Sequence, residues 1–413
     1  MLKLFSVGLI ANLVYVITGA LKQYFIAAQL VVADVGVYGA WVAQASLLVV
    51  LVPLPAYLEL LIRGFSAPPD AYPLRGSLVS GVLREFRQIA GVAAVLLVLL
   101  LVAGLLGFGG TETVLALLVL LCAQYLGQIG DISLRMYQAH QRYAMFLALR
   151  NLPSLALIIG LDLEAPLAIV AVELLAALVV GLLAFRTRPV LSRDRSLPPP
   201  ATTLAVRGER ATLWLARLVQ YVNAALLKLV VPFIFGAHDT GLFFFACVAQ
   251  IPASLFLSVT TQLFGHALAR IQPGEYRAIF RIQTYFVLPN LLYIVVIACL
   301  VPYWPRLMGF IPGLDPYAGV GALVFAVALY SSILSSDCTE YLLRSRGLSR
   351  ILLQYNLVSI FGQIVILSSS AFFRLPIEFT IILCAVMAAV VLAGFSTYSF
   401  RLVLGGRIAA RAD

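Results

Sequence analysis

Charge is what this chain has least of. Charged residues make up 11% of its 413 positions, and only three are lysine. A water-soluble fold of this length needs far more charge on its surface, so a soluble globular protein is excluded. Metal-ligand patterns are missing too. The three histidines (His140, His238, His266) are scattered, and the five cysteines (Cys122, Cys247, Cys299, Cys338, Cys384) fall in or beside apolar segments without the spacing of a zinc site or a disulfide framework. No Gly-rich phosphate loop, His-Glu-x-x-His pattern or paired-carboxylate loop is present, and the outer loops are short apart from the one after Tyr303. A membrane glycosyltransferase or sugar polymerase would need such groups, so the reading is not an enzyme, with no cofactor and no metal.

What the chain has instead is hydrocarbon. Hydrophobic residues reach 62% and the mean hydropathy is +1.02. Apolar runs long enough to cross ~30 Å of lipid as helices recur from end to end, and about twelve spans are expected. The N-terminal stretch MLKLFSVGLIANLVYVITGALKQYF begins like a signal peptide but runs on to about Leu30 without a small-residue cleavage site, so it reads as the first span.

The formal charge of +10 could point to nucleic acid, so its distribution matters. Basic residues gather in alternate connections: Arg84 and Arg87, Arg186 to Arg210, Arg270 to Arg281, Arg344 to Arg350 and Arg401 to Arg411. The opposite connections hold only Arg306 and Arg374. That is the positive-inside pattern with both termini in the cytoplasm, and it leaves no nucleic-acid role.

The chain also repeats itself. Lys22 returns as Lys228, an offset of 228 − 22 = 206, and Val42 to Gln44 returns at that offset as Val248 to Gln250. Asp131 returns as Asp337, and DVGVY at 34–38 matches DTGLF at 239–243 one residue out of step. The domains are therefore an N-terminal lobe of about six spans (1–187), an Arg- and Pro-rich cytoplasmic linker (188–210) and a C-terminal lobe of about six spans (211–413). Halves starting on the same side of the membrane are parallel repeats around a central cavity. Rocking of one against the other then moves cargo.

A charge at mid-bilayer costs roughly 2.5–3.5 kcal/mol on insertion scales, so it normally faces a bundle interior or a cavity. In span 1, Asn12, Tyr15, Thr18 and Lys22 follow at helical steps; in span 7, Arg217, Tyr221 and Lys228 do the same, with Asn223 beside them. Two ammonium groups in a cavity would attract a diphosphate, and Arg150 and Arg217 would extend the positive field. The competing readings are lysines that snorkel to the interface and an Arg150–Glu173 ion pair. Gln44, Gln124 and Gln250 are candidates for sugar hydroxyls. Glu59 with Arg63, Asp131 with Arg135, and Asp337 and Glu340 with Arg344 read as structural pairs near the inner face.

Four stretches carry a family resemblance. DVGVYGAWVAQASLLVVLVPL and RMYQAHQRYAMFLALRNLPSLALIIG, echoed by DTGLFFFACVAQIPASLFL and LLRSRGLSRILLQYNLVSIFGQIVIL, resemble the multidrug/oligosaccharidyl-lipid/polysaccharide exporter superfamily and, within it, the bacterial polysaccharide flippases. The resemblance implies an all-α integral membrane fold of the MATE type, two six-helix lobes that alternate access. It also implies a flippase in the bacterial cytoplasmic membrane that carries a polyprenyl diphosphate-linked oligosaccharide from the inner to the outer leaflet. Membrane lipids and other polysaccharide-assembly proteins would be its partners. The alternative on the same fold is a cation-coupled exporter of small drugs, although neither span 1 nor span 7 holds an acid.

Overall fold

The computed structural model describes residues 2–51, 110–136, 149–161, 163–186, 203–271, 274–345 and 348–404, together with isolated positions between 91 and 104 and at 145–146. Every regular element among them is helical. Among the described residues, seven helices are long and apolar enough to cross a membrane, and several shorter apolar helices accompany them. The chain is a multi-pass membrane protein.

The described residues divide into two compact units, Met1–Leu30 with Val37–Tyr221, and Val31–Gly36 with Val222–Asp413. The first holds α1 (Leu2–Gln29), most of α2 (Val32–Leu51), α3 (Thr111–Met136), α4 (Leu152–Leu161), α5 (Pro166–Arg186) and the first part of α6 (Thr203–Ile234). Pro166 opens α5, where its missing N–H costs nothing. The α3 and α5 helices pack along each other, and α4 lies between α1 and α5.

The second unit holds the rest of α6, then α7 (Gly236–Ala246), α8 (Gln250–Arg270), α9 (Tyr276–Leu300), the short outer helix α10 (Trp304–Phe310), α11 (Gly321–Ser335), α12 (Thr339–Ser345), α13 (Ser349–Phe373) and α14 (Ile377–Leu404). Its centre is α11. The span Asp315–Leu343 is 61% buried, against 11% for Tyr276–Phe310, so α11 sits inside the unit while α9 shows most of its apolar surface to lipid. Arg374 ends α13 in the left-handed conformation, with its N–H on the Ser370 carbonyl.

Three expected spans are interrupted. The fifth breaks at Arg150–Asn151, the eighth turns through a 3-10 segment at Cys247–Ala249, and the tenth breaks at Ser336–Cys338. Helix α6 starts at Thr203, ahead of the expected 211. Pro153 explains the first break, because a proline removes a backbone donor and clashes with the preceding turn. At the third, Asp337 Oδ1 accepts from the Thr339 N–H at 3.0 Å and so caps α12.

Candidate functional site

The N-terminal unit encloses a cavity of about 300 Å³. Tyr15, Lys22 and Gln23 line it from α1, Tyr38 and Ser46 from α2, Gln124 and Gly127 from α3, Arg150 and Asn151 from the break before α4, and Glu173 from α5. Lys22 Nζ donates to Glu173 Oε1 at 2.6 Å, and the Tyr38 hydroxyl donates to the same oxygen at 3.1 Å. Both charged side chains are mostly buried. The acid that the competing sequence reading paired with Arg150 is thus held by Lys22. Glu173 lies about two turns into α5, where its carboxylate reaches Lys22 on α1 directly.

Arg150 faces the same cavity. Its guanidinium carbon stands 6.0 Å from the Tyr15 ring centroid, within cation–π range. A Cβ on Gly127 would come within 3.1 Å of Arg150 Nη2, so glycine leaves room for the guanidinium. Asn151 donates to the Tyr15 carbonyl at 3.1 Å, which ties the helix break to α1. The only ion pair among the described residues is Lys22–Glu173, so Arg150 meets no described carboxylate. Among the described wall residues two are cations and one is a carboxylate, a formal sum of 2 − 1 = +1.

The other sequence candidates divide. Gln124 lines the cavity and donates to Ser46 Oγ at 2.9 Å, and Tyr221 also reaches the Ser46 hydroxyl. Asn12 is buried on α1. Gln44 is half-buried and is not among the described wall residues, and Gln250 is half-buried in the C-terminal unit. Lys228 is half-buried in the C-terminal unit, within electrostatic reach of Cys247 and with no described carboxylate in ion-pair range. The Arg217, Asp131, Arg135 and Arg344 side chains, Glu59, Arg63 and the linker before residue 203 lie outside the described residues.

Asn223 turns out to be fully committed elsewhere. It is 4% exposed, donates to Asn356 Oδ1 at 2.9 Å and accepts from Gln363 Nε2 at 2.7 Å. The Tyr330 hydroxyl donates to Gln363 Oε1 at 3.2 Å, so α6, α11 and α13 are joined by one buried chain of amides. Gln363→Leu would orphan groups on two helices, and a loss of about 1–3 kcal/mol is expected. A thermal midpoint equal to wild type would show that the chain is dispensable.

Sequence reasoning missed Tyr38, Ser46 and Asn151. Their partners lie far along the chain, so no local spacing marked them.

No protein-family model matches the sequence, and no curated relative does. Solved structures do match along the full length. A MOP-superfamily transporter from Pyrococcus furiosus, whose binding pocket is described as reversed in polarity, is 15% identical, with a TM-score of 0.65 over 100% of this chain and 96% of that one. The multidrug transporter DinF-BH is 16% identical, with a TM-score of 0.63 over 98% and 96%. An outward-facing MATE-family multidrug-resistance transporter is 15% identical, with a TM-score of 0.60 over 98% and 96%. At these identities the likeness establishes the fold: all-helical and MATE-like.

Proposed function

We propose that the protein is an alternating-access transporter of amphipathic molecules whose cargo carries an anionic group, a polyprenyl diphosphate-linked oligosaccharide being the class that fits. It sits in a bacterial cytoplasmic membrane with both termini inside, as the arginine distribution suggests. One observation supports the anionic cargo above the rest: Arg150 faces the cavity with no described carboxylate on it, and the walls sum to a positive charge. A guanidinium in a low-dielectric cavity draws a multidentate phosphate oxygen set strongly and repels a cationic drug. Lys228, also without a described acid, adds a second cation in the other lobe. Rocking of the two repeats would carry the head group across while the lipid tail stays in the bilayer.

A second reading, a cation-coupled exporter of small drugs, has its own support. Lys22 is neutralised by Glu173, which lowers the positive charge that the sequence suggested, and solved neighbours include multidrug transporters. Proteoliposomes separate the two. Translocation of a fluorescent polyprenyl diphosphate sugar is expected and should fall about tenfold or more in Arg150→Gln, the loss of one charge-assisted pair. Gradient-driven uptake of a cationic dye, unchanged in Arg150→Gln and without any sugar-lipid movement, would establish the drug reading instead.

A further inference from the structure

The end of α9 that the arginine distribution marks as cytoplasmic meets its surroundings with charge. Arg277 and Arg281 stand one turn apart on the exposed face of the helix, and Phe280 beside them is 62% exposed. Neither guanidinium pairs with a described carboxylate. They do not serve the helix itself, because positive charge in its first turns opposes the helix dipole. A topology signal needs arginine only somewhere in the connection, whereas these two lie inside the span on its outward side.

Past them the same face is hydrocarbon. Thr284, Leu288 and Leu291 continue the exposed stripe at helical steps. The Thr284 hydroxyl donates back to the Phe280 carbonyl at 2.9 Å, so the stripe offers no free donor there. From Phe280 to Leu291 is 291 − 280 = 11 residues. That is about 16 Å of helix, the depth of ~15 Å that one leaflet contributes to the hydrocarbon core.

A second helix supplies the other wall. Both α9 and α14 lie on α11 but do not pack along each other, which leaves a groove between them. At its cytoplasmic end the Phe280 and Phe400 rings meet edge to face, with centroids 6.3 Å apart. Arg401, next to Phe400, is exposed and meets no described carboxylate. It heads an exposed stripe of its own through Thr397, Gly394 and Val390. Open space surrounds Gly394, and the Thr397 hydroxyl donates back to the Ala393 carbonyl at 2.8 Å. Three guanidinium groups thus stand by one aromatic contact, at the head of two apolar lanes.

We propose that this groove is a binding site for an anionic glycerophospholipid of the cytoplasmic leaflet, with its phosphate on Arg277, Arg281 and Arg401 and an acyl chain along α9. Guanidinium forks take phosphate oxygens in pairs, and basic pockets between membrane helices on the cytoplasmic side are where anionic headgroups settle. A zwitterionic lipid brings its own cation to the same place and loses that attraction. The leaflet's name follows the orientation proposed above. The site itself depends only on the fold and not on what the transporter carries.

The test contains no cargo, so its failure and that of the transport reading are separable. Purified full-length protein in a neutral detergent is melted while dioleoyl phosphatidylglycerol is added, and again with dioleoyl phosphatidylcholine. A saturable rise in midpoint with the anionic lipid alone is expected, since a ligand of the folded state stabilises it. Half-saturation should move up about tenfold or more in Arg277→Gln/Arg281→Gln, and several-fold in Arg401→Gln. Arg306→Gln/Arg374→Gln removes two exposed arginines from the opposite connections and should titrate as wild type. Should the Arg277→Gln/Arg281→Gln protein not fold, Arg281→Gln alone serves, with a several-fold displacement. Equal rises with both lipids, one titration shared by every variant, a rise reproduced by inorganic phosphate or glycerol phosphate without chains, or no rise at all overturns the proposal.

Discussion

Lys22→Met should lower the stability of the protein by about 3–5 kcal/mol, while Lys22→Met/Glu173→Met returns most of that loss. The side chains of the pair are 14% and 17% exposed, so neither charge is well hydrated. Removing the ammonium leaves a carboxylate that keeps, among the described residues, one hydrogen bond, from the Tyr38 hydroxyl. Removing both charges leaves apolar side chains of similar volume, which such sites accept. Glu173→Gln should be milder, because a freed lysine can extend its long side chain toward water. It also raises the wall charge from +1 to +2, so an anionic cargo should bind more tightly to Glu173→Gln than to wild type. A double-mutant cycle on thermal midpoints reads the coupling directly. Additive single-variant losses would show that the two charges act independently.

The fold was legible because membrane helices announce themselves by length and apolarity, and a repeated offset betrays duplicated lobes. The site was only partly legible. Lys22, Arg150, Tyr15 and Gln124 stand out as polar residues in apolar runs, and all four line the cavity. What a single sequence could not give was pairing. Glu173 is equally plausible as a partner for Lys22 or Arg150 until helices α1, α4 and α5 are placed, and that placement depends on packing between distant segments. The interruptions were equally hidden. Pro153 marks the break at Arg150, but the break at Asp337 is carried by a capping contact and by Gln283 from another helix. Periodicity reads straight through it. Asn223 shows the converse: a polar residue on the stripe of span 7 is engaged by a buried network with Asn356 and Gln363.

Gly241→Ala should destabilise the protein by about 1–3 kcal/mol, although alanine is the better helix former. Gly36 and Gly241 occupy matching places in the two repeats, 241 − 36 = 205 residues apart. The structure brings them together: Val31–Gly36, the start of α2, packs with the C-terminal unit against the first turn of α7. A Cβ on Gly36 would lie 2.6 Å from the Ala237 carbonyl oxygen and 2.8 Å from the Gly241 nitrogen, and a Cβ on Gly241 would collide with the Val32 carbonyl. Backbone meets backbone here, the close approach that small residues permit between membrane helices. Alanine on either side forces the turns apart. Gly394→Ala in α14 is the control, because open space surrounds it; there the same change should be neutral or stabilising by up to about 1 kcal/mol. The two crossing glycines share one contact, so Gly36→Ala/Gly241→Ala should cost scarcely more than either single change. Once the turns have separated, the second methyl group finds nothing left to push. Strictly additive midpoints, or a Gly241→Ala variant that behaves like Gly394→Ala, would mean the two turns do not meet.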